Sequence, residues 1–305
     1  MKTSRQYVFA VVGLLVIGVI LAAPPAAQCQ TPVEDAIKQL SGPNAKGYLQ
    51  PLADLFGANM NAGAFHSAKI PTVGFNIKLD LIVMGAPIGD DQKRYTAQAP
   101  TGFSPGTFET ATIFGGTGGL VNDVNVPGVS YKGSDGVFTT TMFPLTAPQL
   151  TIGSVFGTQV LARYVFIPKL GDNVPESNLW GAGILHSVSQ WLGGPPVDLA
   201  VGFFYNSFTA GDIITYSGYA ISGIVSKEFT VFTAYGGLAY EQSTMNLNYV
   251  STDPSIPGQV DIDLEGANTF RVTAGGLLQL GLFRLFADIN IGTVTHFSGG
   301  IGIGN

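Results

Sequence analysis

Charge is the scarcest commodity in this chain. Only 11% of its 305 residues are charged, against roughly 25% in an average soluble domain, and the mean hydropathy is +0.31. Cysteine occurs once, at Cys29, which excludes disulfides and thiol-ligated metals. The three histidines show no metal-ligand spacing, so no metal and no cofactor is expected. After residue 30 no stretch supplies roughly 18 consecutive apolar residues, which excludes a membrane-spanning helix. Too oily for a wet surface, yet nowhere oily enough in one run, the chain suits strands in a bilayer. The net charge of −6 becomes −8 once Lys2 and Arg5 are removed with a leader. An acidic chain gives no reason to propose nucleic acid as a partner.

What is present begins with an export signal. Lys2 and Arg5 form a basic start, Tyr7 to Ala23 an apolar run, and Ala22, Ala23, Ala26 and Ala27 are small residues suited to cleavage. Residues 1–29 are therefore expected to be removed. Gln28, before Cys29, is not the small residue that a lipidation motif requires. Thr31-Pro32-Val33-Glu34 is a helix start, with Thr31 as cap and Glu34 completing a capping box, and Gly42-Pro43 is its stop. A second short helix is expected over Tyr48 to Phe56, ended by Gly57. Residues 30–56 would then plug or cap a barrel made of residues 57–305.

Strand periodicity dominates the rest. Between Thr72 and Gly85, Val73, Phe75, Ile77, Leu79, Leu81 and Val83 alternate with Gly74, Asn76, Lys78, Asp80 and Ile82. Successive strand side chains face opposite ways, so this is a ribbon with one greasy and one polar side. Similar segments are expected at Gln149–Phe156, Thr158–Ile167, Leu179–Trp191, Val197–Phe208, Asp212–Ser226, Glu228–Tyr249, Gln259–Leu280, Leu282–Ile291 and Thr293–Ile303. Ala58–His66 is a further candidate, and Phe108–Phe114 and Gly136–Phe143 are candidate hidden strands of the long 85–148 stretch. Short breaks at Gly157, Ser226-Lys227 and Gly281 alternate with long Pro-, Asp- and Gly-rich ones. These features predict an all-β fold, an antiparallel transmembrane β-barrel of about 12 strands (10–14), with short N-terminal helices as plug or mouth cap.

Alternation also yields an inventory of the lumen. A Lys or Arg facing lipid at mid-membrane costs roughly 2–4 kcal/mol. Asn76, Lys78, Asp80, Arg163, Asp198, Asn206, Arg271, Gln279, Arg284, Asp288 and Asn290 should therefore point inward, where both signs of charge argue against strong ion selectivity. Phe204, Ile214, Ile224, Leu277 and Phe286 share the inward side, a mixed lining suited to a small, moderately hydrophobic solute. His296-Phe297-Ser298 puts a histidine and a serine on one strand face. It resembles the His-x-Ser pair of lipid A deacylase barrels, but no acidic residue follows to complete that site. His186 and Ser187 fall on opposite faces, and His66 is placed in a turn. The glycines at 115, 116, 118 and 119 lack the lysine of a phosphate loop. No enzymatic activity is expected; a hydrolase using His296 and Ser298 is the remote alternative.

The stretch Gly47-Tyr48-Leu49-Gln50-Pro51-Leu52, Phe56-Gly57-Ala58-Asn59, Asn61-Ala62-Gly63 and His66-Ser67-Ala68-Lys69 resembles the opening of a family of exported bacterial proteins of unknown function predicted to be outer-membrane barrels. The resemblance implies location and architecture and brings no site residues. Such barrels often end on an aromatic residue, whereas this chain ends Ile303-Gly304-Asn305. The expected function is a passive channel or transporter for small solutes, with a surface-display barrel acting through its outer loops as the alternative. The implied partners are outer-membrane lipid and lipopolysaccharide, the barrel-assembly machinery and a small-molecule solute.

Overall fold

A computed structural model describes residues 42–169, 175–251 and 258–305. The leader and the helix expected at 31–40 lie outside these residues. In chain order the elements are α1 (Gly42–Asn61), β1 (Asn76–Pro87), β2 (Arg94–Gln98), β3 (Thr107–Ala111), β4 (Leu120–Asn122), β5 (Ser130–Lys132), β6 (Met142–Val155), β7 (Thr158–Ile167) and β8 (Ser177–Ser187). They continue with β9 (Asp198–Ala210), β10 (Ile214–Phe229), β11 (Phe232–Ser251), β12 (Gly258–Glu265), β13 (Phe270–Leu280), β14 (Phe283–Ile291) and β15 (His296–Gly304).

Ten strands, in the order β10-β9-β8-β7-β6-β1-β15-β14-β13-β11, close on themselves through β10–β11 pairing. Every pair in the ring is antiparallel. Closure removes the sheet edges that would otherwise carry unpaired backbone groups. The eleventh strand stands outside the ring, because β11 is long enough to hold two partners. Its first half pairs with β13 from Phe232 to Tyr240, and its second half pairs with β12 from Thr244 to Ser251.

Ten strands in the ring is the low end of the expected 10–14, below the central value of about 12, and the difference has identifiable causes. Ala58–His66 is not a strand: it is the last turn of α1 and the start of an irregular segment inside the barrel. Phe108–Phe114 falls largely in β3, which pairs with β2 in a separate two-stranded sheet. Gly136–Phe143 contributes only its end, as the start of β6. The 259–280 segment is broken at 266–269 into β12 and β13. The turn expected at Ser226-Lys227 lies at Thr230-Val231, since β10 runs on to Phe229.

Two ends of the barrel differ in kind. Two-residue turns at Phe156-Gly157, Thr230-Val231 and Gly281-Leu282 close one end, together with the start of β1 and the end of β15. The other end carries the long connections, including the β2–β3 and β4–β5 sheets.

Outward rows are apolar along the middle of the barrel. Ile77, Leu79, Val83, Val160, Ile184, Val201, Ile221, Leu285, Ile291 and Ile301 are all exposed. Aromatic belts bound this aliphatic zone. Near the long loops Trp180 lies 5.3 Å from Tyr205, Tyr219 lies 6.4 Å from Tyr240, and Tyr240 lies 5.5 Å from Phe270. At the short turns Phe156, Trp191, Phe229, Phe232 and Phe283 are exposed. Tyr219 and Phe229 mark the two belts on β10. Ten residues at ~3.3 Å each on a strand tilted about 40° make a band ~25 Å tall, the height of a bilayer-spanning barrel exterior.

Candidate functional site

The lumen is the site, and its first occupant is the chain itself. α1 carries only Lys46 and Asp54 as charges and is apolar nearly all round, the pattern of a helix enclosed on every side. Pro43 fits the first turn, where its missing N–H costs nothing. The helix lies in the long-loop mouth, where Tyr48, Leu49, Leu52, Leu55 and Phe56 pack against residues such as Tyr216, Met245, Leu247, Ile262 and Leu264. This is one helix of 20 residues, longer at both ends than the expected 48–56.

Below the helix the chain threads the barrel toward the short turns, pinned by side chains of the wall. The last carbonyls of a helix have no partner within it. Here Arg163 supplies one: its Nη1 donates to Met60 O at 3.3 Å and its Nη2 to Ala62 O at 2.7 Å. The cation also complements the negative end of the helix dipole. Arg163 Nε donates to Gln149 Oε1 at 2.8 Å, and Gln149 Nε2 reaches Ala64 O at 3.2 Å. Phe204 closes over the guanidinium at 4.8 Å. Asn206 Nδ2 donates to Asn61 Oδ1, and the Ala68 N–H donates to Ser226 Oγ. Lys69 pairs with Glu228 at the short-turn rim.

The other inward polar groups form layers along the threading segment. Near the short turns Arg284 Nε donates to Asp80 Oδ1 at 3.0 Å and Lys78 Nζ reaches Gln159 at 3.4 Å. Gln279 Nε2 donates to Gly304 O, and buried Asn76 completes this layer. At mid-height Asp288 accepts from Tyr235 Oη, Asn290 Nδ2 and Ser298 Oγ. Asn290 Oδ1 also accepts from Thr273. Higher up, Arg271 Nη1 lies 3.4 Å from Glu241 Oε2. Asp198 is half-buried at the short-turn rim. All eleven polar residues read from the alternation therefore sit on inward positions, but in separate layers rather than one cluster.

Three participants escape that alternation reading. His66 is not in a turn at the surface. It is buried in the lumen, stacked on Phe286 at 3.8 Å and edge-on to Tyr235. Glu241 and Gln149 are buried, and parity along their strands would have placed both inward. Ser298 Oγ is committed to Asp288, while His296 Nδ1 donates to the Val294 carbonyl at 3.1 Å. The histidine and serine thus share a face but bond to different partners.

Outside the strands, Asp54 anchors α1. Its Oδ1 accepts from Gln50 Nε2 at 2.8 Å and from the Ala267 N–H at 3.0 Å. Burial holds its carboxyl above the ordinary carboxylate range, partly offset by those bonds. Burial likewise pushes the Tyr95 hydroxyl, over the helix start, up to about 12.

Fold, exterior and lumen together define a membrane-type β-barrel plugged by its own N-terminal segment. The sequence profile of the Family of unknown function (DUF6588) matches residues 1–305, and the chain belongs to that family. No curated relative matches. Among solved structures the chain is similar to the toluene transporter TbuX of Ralstonia pickettii, at 11% identity over 82% of this chain and 93% of that one, with a TM-score of 0.25. It is also similar to the transport unit of the autotransporter AIDA-I from Escherichia coli, at 8% identity over 83% and 98%, with a TM-score of 0.27. A third is the toluene transporter TodX of P. putida, at 11% identity over 81% and 92%, with a TM-score of 0.22.

Proposed function

We propose that this protein is a bacterial outer-membrane barrel acting as a passive channel or transporter for small, moderately hydrophobic solutes. The observation that carries the reading is how the plug is held. Residues 62–70 contribute no strand to the barrel wall. Side chains from Arg163, Gln149 and Ser226 hold the segment by its backbone. A segment fixed by a few polar contacts can shift without opening the barrel's backbone ladder. The lining supports the solute class: Phe204, Ile224, Leu277 and Phe286 are buried among the charged layers, which makes the wall mixed rather than uniformly polar.

The test is uptake into liposomes reconstituted with the folded, leader-free chain. A small apolar solute should enter faster than into empty liposomes, while sugars and salts should not. Free passage of sugars and salts without preference for apolar solutes would sink the reading.

A second reading, a display barrel acting through its outer loops, has one observation of its own. Leu120, Val124 and Val126 on the β4–β5 loops are exposed, an apolar patch where a partner could dock. Steady absence of solute uptake together with partner binding lost on shortening residues 119–133 would favour it. In either reading we take the protein to be no enzyme, since His296 and Ser298, which share a strand face, are divided between two sets of hydrogen bonds. Lipid release by the wild type that vanishes in S298A would overturn that.

A further inference from the structure

A cavity of about 30 Å³ lies between the threading segment and the wall, bordered by Phe65, Ile224, Arg271, Thr273, Asp288 and Asn290. It is only partly enclosed, and its free volume takes about two waters or one carboxylate group, with the rest of a ligand left to the open side. Arg271 is only 6% exposed, and its Nε and Nη1 have no hydrogen-bond partner. Glu241 lies within ion-pair range of Nη1 but outside hydrogen-bonding geometry. A guanidinium stays charged at any accessible pH, so it cannot relieve the strain of unmet donors by losing a proton. Its planar fork matches a carboxylate.

The acidic group beside the cavity points the same way. Asp288 at the cavity edge is already satisfied by Tyr235, Asn290 and Ser298, which leaves Arg271 as the group with donors to offer. Phe65 and Ile224 supply an apolar side to the same space. We propose that this cavity binds a small organic monocarboxylate, its carboxylate on Arg271 and its apolar end toward Phe65 and Ile224. The site stands whether or not the barrel conducts.

The experiment is thermal unfolding and titration calorimetry of the detergent-folded protein with acetate and propionate, against acetamide and chloride at equal ionic strength. Acetate and propionate should give a saturable rise in unfolding temperature, with acetamide silent and chloride at least ~10-fold weaker. A 100-fold excess over the dissociation constant corresponds to about 2.7 kcal/mol of stabilisation. R271Q should abolish the response. If that variant fails to fold, A239L, which fills the cavity from an inward wall position while keeping Arg271, should abolish it instead. Equal responses to acetamide or chloride, a response that survives the substitution, or none to any monocarboxylate at ~0.1 M would each overturn the assignment.

Discussion

Arg163 shows how much one buried cation does in this lumen. It donates to two backbone carbonyls of the plug and to Gln149, and Gln149 in turn holds Ala64. Arg163→Ala would leave those carbonyls without a donor, and hydrogen bonds from a charged group are worth about 1.5–3 kcal/mol each. The cost falls on the seating of residues 60–64, because the wall keeps its backbone ladder. Planar-bilayer recordings should therefore show frequent open levels in R163A where the wild type is mostly closed. Unchanged traces would mean that the plug does not depend on this residue. Asp54 works in the opposite sense. Its raised carboxyl means that the folded protein holds the proton longer than the unfolded chain does. The ionised side chain therefore weakens the helix seat as pH rises from 3.8 through the folded-state value. D54N keeps an acceptor for the Ala267 N–H and removes the charge. Amide protection factors in residues 42–61 should be at least as high as wild type at pH 7, with the difference vanishing below about pH 4.

At the scale of elements, legibility followed periodicity. The bounds of β7, Thr158 to Ile167, are legible to the residue because a two-residue turn precedes it, a proline follows it, and Gln159 and Arg163 mark its inward face. α1 was misread at both ends for opposite reasons. Gly42-Pro43 looked like a stop, although proline is at home in a first helical turn. Gly57 looked like an end, although it is retained inside the helix where Ser243 of the wall comes close. Ala58–His66 looked like a strand because its spacing says nothing of whether a neighbouring strand is available to pair with it. The inward face of β15 carries Gly300, Gly302 and Gly304, whose role the sequence alone does not reveal. In the structure a Cβ at Gly302 would stand 2.0 Å from Asp80 Oδ1, so the strand is thin where the Asp80–Arg284 pair needs space. Gly302→Leu should crowd that pair at a cost of about 1–3 kcal/mol, visible as a lower temperature for loss of the compact band on unheated gels. An unchanged temperature would show that the pair can move aside.

For the whole molecule, the decisive question is what covers the outward rows, and the chain carries its own probes. It has only two tryptophans, both exposed on the exterior and at opposite ends of the barrel. Trp180 belongs to the long-loop belt beside Tyr205, and Trp191 lies by the turn between β8 and β9. Indoles prefer the level of the headgroups, with the ring in the apolar zone and the N–H toward water. If lipid wraps the barrel, lipids brominated along the acyl chain should quench each tryptophan most strongly when the bromines lie near the headgroups. Quenching should weaken as they move to the chain ends. W180F and W191F variants separate the two signals, and both should give the same shallow depth because the belts bound one band of ~25 Å. A deep maximum for either, or no quenching at all, would mean that the apolar exterior meets something other than a bilayer of that thickness.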